Sequence, residues 1–281
     1  MPHLNIRIHP LFAVLLVFAV MVDQVVEMVT VFVVVIIHEL GHWAVARFFQ
    51  WKIEAITLLP FGAVMHVEDA EIKPMHEGLL VALAGPLMNG VLAIFAGLMG
   101  WLQWWNLEWA QFFMLSNLII ATFNLLPIYP LDGSRIYLCI RSYYFPYWSI
   151  LKERIIISVI LTLSGIALML FILPPSFGWL LVLGFLLQQN WWKWRQRPYD
   201  FLRFLFHRYV ANAREYPIRL ELLAEDETVW LALQRLCLYR YHLYHMAKHP
   251  GEFVTESRFL HGFVIKRQPQ RAAIHFFRYN R

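Results

Sequence analysis

Ile37-His38-Glu39-Leu40-Gly41-His42 lies inside a run of Val, Ile, Phe and Met that begins near Val25. On a helix, positions four apart project from the same face. His38 and His42 then offer two imidazole nitrogens to one zinc ion, with Glu39 beside them as a base for water. A His-Glu-x-x-His pentad alone is a weak signal, because so short a string recurs by chance and helix histidines usually sit at a surface. The hydrocarbon surroundings sharpen it. A charge at the centre of a membrane helix costs about 2.5–3.5 kcal/mol on insertion scales, so ionisable residues there are functional by default. A structural polar cluster is the competing reading.

Apolar residues make up 59% of the 281 and charged ones only 15%, against about 25% charged in soluble domains. That composition specifies an integral membrane protein with several spans and room for one small soluble domain. Cys139 and Cys237 are far apart and no Cys-x-x-Cys occurs, which excludes a disulfide framework and a thiolate metal site and suits a reducing cytoplasm. The net charge of +5 requires no nucleic acid, because basic cytoplasmic loops account for it. Arg7 precedes the apolar stretch Leu11 to Val22, but no small-x-small site follows and Asp23 comes next. The segment reads as a first span that is retained.

Hydropathy places six spans: about His9–Val22, Val25–Phe49, Leu79–Trp101, Phe112–Cys139, Ile155–Leu173 and Trp179–Trp192. Trp and Tyr cluster at their ends, as interfacial belts require. With the N-terminus inside, the outer loops hold Asp23, Glu27 and Glu108 and no Lys or Arg. The inner segments hold Arg7, Arg47, Lys52, Lys73, Arg141, Lys152, Arg154, Lys193, Arg195 and Arg197. The positive-inside rule therefore puts both termini in the cytoplasm. Residues 1–197 form a six-span membrane domain, and 198–281, opening at Arg197-Pro198, a small α+β cytoplasmic domain.

Catalytic zinc takes three protein ligands and keeps a position open. The candidate for the third is Asp132, in Asn124-Leu125-Leu126-Pro127-Ile128-Tyr129-Pro130-Leu131-Asp132-Gly133. The prolines break what would otherwise be a span, and irregular backbone at membrane depth is tolerated only beside protein or a wet cavity. Gly133 lets the chain bend there and aim the carboxylate inward. The plainer reading is an Asp-Gly turn at the membrane boundary. His66, His76, Glu68 and Asp69 compete weakly as ligands, since they lie in a polar stretch where water can solvate them.

His-Glu-Leu-Gly-His on the second span and Asn124-x-x-Pro127-x-x-x-Leu131-Asp132-Gly133 on the fourth together resemble the site-2 protease family of intramembrane zinc proteases. Ile8-His9-Pro10, Leu58-Leu59-Pro60-Phe61-Gly62-Ala63, Ala84-Gly85-Pro86 and Arg195-Gln196-Arg197 are similar to that family's sporulation subgroup. No PDZ-sized insertion separates the motifs, unlike the envelope-stress branch. The resemblance implies one zinc held by His38, His42 and Asp132, with Glu39 as base and Asn124 steadying the water or the oxyanion. It implies a membrane-associated sigma factor precursor as substrate, inhibitory membrane proteins as partners, and a location in the membrane surrounding the forespore. Homo-oligomerisation stays open.

Ile53 to Leu59 and Ala63 to Glu68 alternate around Pro60-Phe61-Gly62, reading as a β-hairpin. A substrate helix must unwind before its peptide bonds are reachable, and an edge strand could then pair with it. The resemblance makes this hairpin re-entrant, with Phe61 near the active site. Pro60, Phe61 and Gly62, together with Pro127, are the candidate substrate-contacting residues. An ordinary surface hairpin is the plain alternative. Asn89 on the third span carries a polar amide that could hydrogen-bond across helices, with helix packing the favoured role.

Ala224-Glu225-Asp226-Glu227-Thr228-Val229-Trp230 looks like a strand end followed by a helix with an acidic first turn. This is similar to the opening of a CBS (cystathionine-β-synthase) domain, which implies ATP binding by resemblance only. Other functions using the same residues are cleavage of an anti-sigma factor or other membrane protein, non-catalytic metal transport, and a membrane scaffold.

Overall fold

In a membrane, large apolar side chains face lipid and small or polar ones face neighbouring helices. The helices of this chain follow that inside-out pattern. We describe them from a computed structural model that covers residues 5–8, 24–59, 62–67, 70–171, 177–211, 216–246, 249–266 and 269–277. The expected first span, His9–Val22, and the hairpin tip Pro60-Phe61 lie outside the described residues.

Helix α1 (Val25–Phe48) buries Thr30, Val34, His38, Gly41, His42 and Ala46 along one face. It turns Val26, Val29, Val33 and Phe48 outward. Helix α2 (Met75–Trp101) buries a stripe of small residues with Asn89 among them and exposes Leu87, Val91, Ile94 and Leu98. Helix α3 (Leu107–Asn124) starts at Asn106, whose side chain accepts from the Glu108 and Trp109 amides. It packs along α2, as α2 does along α1.

The expected fourth span resolves into two helices. After Asn124 the chain makes successive turns, with Leu126 N donating to Phe123 O, Ile128 N to Leu126 O and Leu131 N to Ile128 O. Helix α4 (Asp132–Tyr144) then begins on the aspartate. Helix α5 (Tyr147–Phe171) and helix α6 (Phe177–Ala211) follow. Ile128 anchors the broken stretch in a core with Met169 of α5 and Leu183 and Leu186 of α6. Among the described residues, α1, α2 and α5 are long and apolar enough to cross a membrane. Helix α6 runs on through Pro198 and far past the expected end at Trp192. Its continuation carries a buried face of Phe201, Phe204, Leu205 and Arg208, the spacing of an amphipathic helix.

The hairpin forms as β2 (Ile53–Leu59) and β3 (Gly62–Val67), paired antiparallel with Ile56 opposite Met65 and Thr57 opposite Val64. The sequence reading did not foresee β1 (Asn5–Ile8), which pairs parallel to β2 and gives the order β1-β2-β3. The described residues of the sheet therefore leave the outer side of β3 open, with β2 in the centre.

By packing, the chain divides into two units, one of Met1–Ile136 with Gly165–Leu186 and one of Tyr137–Ser164 with Leu187–Arg281. Within the second, β4 (Ile218–Leu223), α7 (Val229–Gln234), β5 (Tyr241–Met246), β6 (His249–Thr255), α8 (Glu256–Val264) and α9 (Ile274–Phe277) follow in order. The sheet order is β4-β5-β6, with β4 parallel and β6 antiparallel to β5. A buried ion pair joins Arg208 of α6 to Glu256 at 2.6 Å. Glu256 also accepts from the His242 amide, and Arg208 donates to the Leu238 and Arg240 carbonyls.

Candidate metal centre

Four-residue spacing on α1 brings His38 and His42 to one face, their rings 82° apart with centroids separated by 4.7 Å. Asp132, at the start of α4, reaches between them. Its Oδ2 lies 3.1 Å from His38 Nε2 and 3.1 Å from His42 Nε2, and the two Nε2 atoms are also 3.1 Å apart. Among the described residues this is the one group of His, Cys, Asp and Glu whose donor atoms converge in this way. The histidine side chains are 3% and 7% exposed and the aspartate 19%, so the centre is buried and opens on the Asp132 side.

The far nitrogen of each ring is held by an acceptor. His42 Nδ1 donates to the Val81 carbonyl at 2.6 Å, and His38 Nδ1 lies 3.0 Å from Asn89 Oδ1. A neutral imidazole whose Nδ1 carries the proton presents a bare lone pair at Nε2. Two such lone pairs and a carboxylate facing one another at 3.1 Å repel unless a proton or a metal ion lies among them. Zinc–nitrogen distances of about 2.0–2.1 Å in a tetrahedron set ligands roughly 3.3–3.4 Å apart, close to the spacing found. The donor set fits zinc, with one coordination position left over.

Two glycines make the room. A Cβ on Gly85 of α2 would stand 2.4 Å from His42 Nε2 and 2.6 Å from His38 Nε2. Gly133 does not serve as the bend expected from the sequence. It lies inside the first part of α4, where a Cβ would meet the Leu125 carbonyl oxygen at 2.1 Å. Its smallness lets the backbone of the broken stretch pass against the helix that carries Asp132. One turn on from Asp132, the Arg135 guanidinium lies 5.0 Å over the Trp51 ring. Trp51 donates its indole N–H to Glu77 at 2.6 Å, which ties α4 to the foot of α2.

The remaining candidates are placed as follows. Glu39 is buried beside His38. Asn124 ends α3, and its amide donates to the Ile120 carbonyl at 3.0 Å, a bond within its own helix. Pro127 is half-buried in the broken stretch and Gly62 opens β3. His76 sits against Phe49 and takes no part in the triad. The sequence reading allows Asn89 a cross-helix hydrogen bond while favouring packing, and does not foresee that His38 is one of its partners. The signal was present in Gly85-x-x-x-Asn89, which puts the amide one turn from the glycine that admits the histidines.

A His-Glu-x-x-His helix completed by an aspartate, buried among apolar helices, defines a membrane-embedded metalloprotease. The comparisons agree: residues 26–106 match the family model of Peptidase family M50. Stage IV sporulation protein FB of Bacillus subtilis is 31% identical over 224 residues, covering 80% of this chain and 78% of that one. A zinc metalloprotease of Methanocaldococcus jannaschii is 35% identical over 119 residues, 41% of this chain and 34% of that protein. The solved site-2 protease of the same archaeon superposes with a TM-score of 0.57 at 29% identity, over 69% of this chain and 92% of that one. The chain belongs to peptidase family M50, the site-2 proteases, and is a zinc-dependent intramembrane protease.

Proposed function

We propose that this protease cleaves a membrane-associated sigma factor precursor, removing its pro-sequence, with His38, His42 and Asp132 as the zinc ligands. The observation that carries the site assignment is the 3.1 Å triangle of His38 Nε2, His42 Nε2 and Asp132 Oδ2. A zinc ion in such a centre acts as a Lewis acid that acidifies water and polarises a carbonyl. Glu39 takes the proton from the attacking water and delivers it to the leaving amine. By the family resemblance Asn124 would steady the attacking water or the oxyanion, and Pro127 would contact the substrate. Pro60, Phe61 and Gly62 lie in the hairpin on which the unwound substrate docks, by strand addition to the open side of β3. The substrate assignment draws its support from the relative named stage IV sporulation protein FB.

The six-span topology with both termini cytoplasmic, in the membrane surrounding the forespore, and regulation by inhibitory membrane partners belong to the same reading. The charge asymmetry of the loops supports the topology. Residues 198–281 are read as a cytoplasmic CBS-type domain, supported by the parallel β4-α7-β5 crossover and the antiparallel return of β6. ATP binding there rests on resemblance alone.

The decisive test is co-expression with membrane-tethered sigma factor precursors, with cleavage read on a gel and zinc measured in the purified protein. Glu39→Gln is expected to keep its zinc and lose cleavage, and Asp132→Asn to lose both. Cleavage by Glu39→Gln at the wild-type rate would exclude it as the base and reopen the transporter and scaffold readings.

A further inference from the structure

Asn89 sits in the middle of α2 with 0% exposure, flanked by Gly85, Pro86 and Ala93 on the buried face. For filling space between helices an apolar side chain would serve better, since a carboxamide loses hydration when buried and must recover it through hydrogen bonds. Both ends of this one are engaged. Asn89 Nδ2 donates to the backbone carbonyl of Asn117 at 3.4 Å, and Oδ1 lies 3.0 Å from His38 Nδ1. A carbonyl can only accept, so the atom facing Asn117 is the NH2 group and the atom facing His38 is the oxygen. His38 Nδ1 must then be the donor. The proton is confined to that nitrogen, and the Nε2 lone pair is left facing Asp132 and His42. Asn117 is itself fully buried on α3 and donates from its own amide to Phe113 O at 2.9 Å. The relay thus runs from α1 through α2 to α3.

We propose that Asn89 is a positioning residue for the metal centre: its Oδ1, oriented by the Asn117 carbonyl, fixes the tautomer and ring angle of His38. His42 obtains the same service from the Val81 backbone carbonyl, which no substitution can remove. The His38 partner is the side chain of the pair and therefore the one that sequence can alter. Partners of this kind are worth about 10–100-fold in metal affinity. The inference rests on the triad being the zinc site.

The test measures zinc affinity of the purified full-length protein by competition with a chromophoric chelator, and the ligand-field spectrum of the cobalt-substituted protein. Asn89→Leu nearly preserves volume but removes the acceptor, and is expected to weaken zinc about tenfold or more and to shift the cobalt bands. Asn89→Ala removes the acceptor without adding branched bulk and is expected to give the same loss. Asn89→Asp keeps an oxygen facing His38 and is expected to hold zinc at least tenfold more tightly than Asn89→Leu. A residue needed for packing alone reverses this order, with Leu tolerated and Asp not. Zinc affinity of Asn89→Leu within about twofold of wild type, or equal affinities for Leu and Asp, overturns the proposal. His38→Ala is the separating control: if it leaves zinc affinity unchanged, the metal-site assignment fails, whereas its loss with Asn89→Leu unaffected sinks the positioning role alone.

Discussion

Gly85→Ala is the smallest change that tests the geometry of the centre. The added methyl carbon would lie 2.4 Å from His42 Nε2 and 2.6 Å from His38 Nε2. To reach even 3.0 Å, the shortest separation such carbons adopt, α2 and the histidines must part by about 0.6 Å. Zinc sites tolerate departures of roughly 0.2 Å. The same retreat stretches the His42–Val81 and His38–Asn89 bonds, because both acceptors lie on α2. Overpacking of this size costs about 1–3 kcal/mol, and if it falls on the metal centre, zinc affinity drops about 5- to 150-fold. The assay is chelator competition on purified protein, paired with cleavage of a co-expressed substrate. Gly90→Ala is the control: it lies on the same helix, and a Cβ there meets nothing within 4 Å. If Gly85→Ala and Gly90→Ala bind zinc and cleave alike, the close approach of α2 to the histidines is not what shapes the site.

Three further outcomes are expected. Val64→Pro and Met65→Pro, made singly, each remove one N–H of β3. One of the two should depress cleavage strongly with zinc content unchanged, as should Phe61→Ala; normal cleavage in all three would reduce the hairpin to a connector. Reporters fused after Gln103 and Pro175 should read as outside the cytoplasm and those after Lys152 and Arg197 as inside, and a cytoplasmic signal at Pro175 would remove the last two spans. In the C-terminal region, burial together with Arg208, Arg219 and Arg240 holds His242 down to about 3. The unfolded chain takes up that proton below about 6.5 and the folded chain does not, so stability falls as pH drops from about 6.5 toward 3, by about 2 kcal/mol at pH 5. Hydrogen exchange across β5 should quicken over that range and flatten in His242→Gln, which keeps an acceptor for the Cys237 amide; an unchanged slope would assign the effect to other groups.

The triad was legible because two features of the sequence point the same way: i, i+4 histidines share a helix face, and a proline-broken stretch ending in Asp132 is costly in hydrocarbon unless something uses it. Other parts were hidden for identifiable reasons. Gly133 reads as a bend, since nothing in the sequence says that the Leu125 carbonyl will pass against it. Asn89 reads as packing, because an amide's partners lie on other helices and only the fold reveals that one of them is His38. The run of Lys193, Arg195 and Arg197 suggests that α6 ends at the membrane surface. The buried stripe of Phe201, Phe204 and Leu205 instead carries the helix on to Ala211. Four residues, Asn5 to Ile8, are too few for periodicity to declare a strand.

That short strand bears on accuracy. If substrates dock by adding a strand, a hairpin with both sides bare would accept a peptide along β2 or along β3, in opposite directions relative to the chain. With β1 lying along β2, the first of these berths is already filled by the protein itself. On that reading an incoming segment would run in one direction only, which would present a single peptide bond for cleavage. Loss of the first eight residues would on this view leave a protease that still hydrolyses but cuts at scattered positions. On this reading β1 would act as a plug against misalignment, and its worth would show in the sharpness of the product band more than in the rate at which it appears.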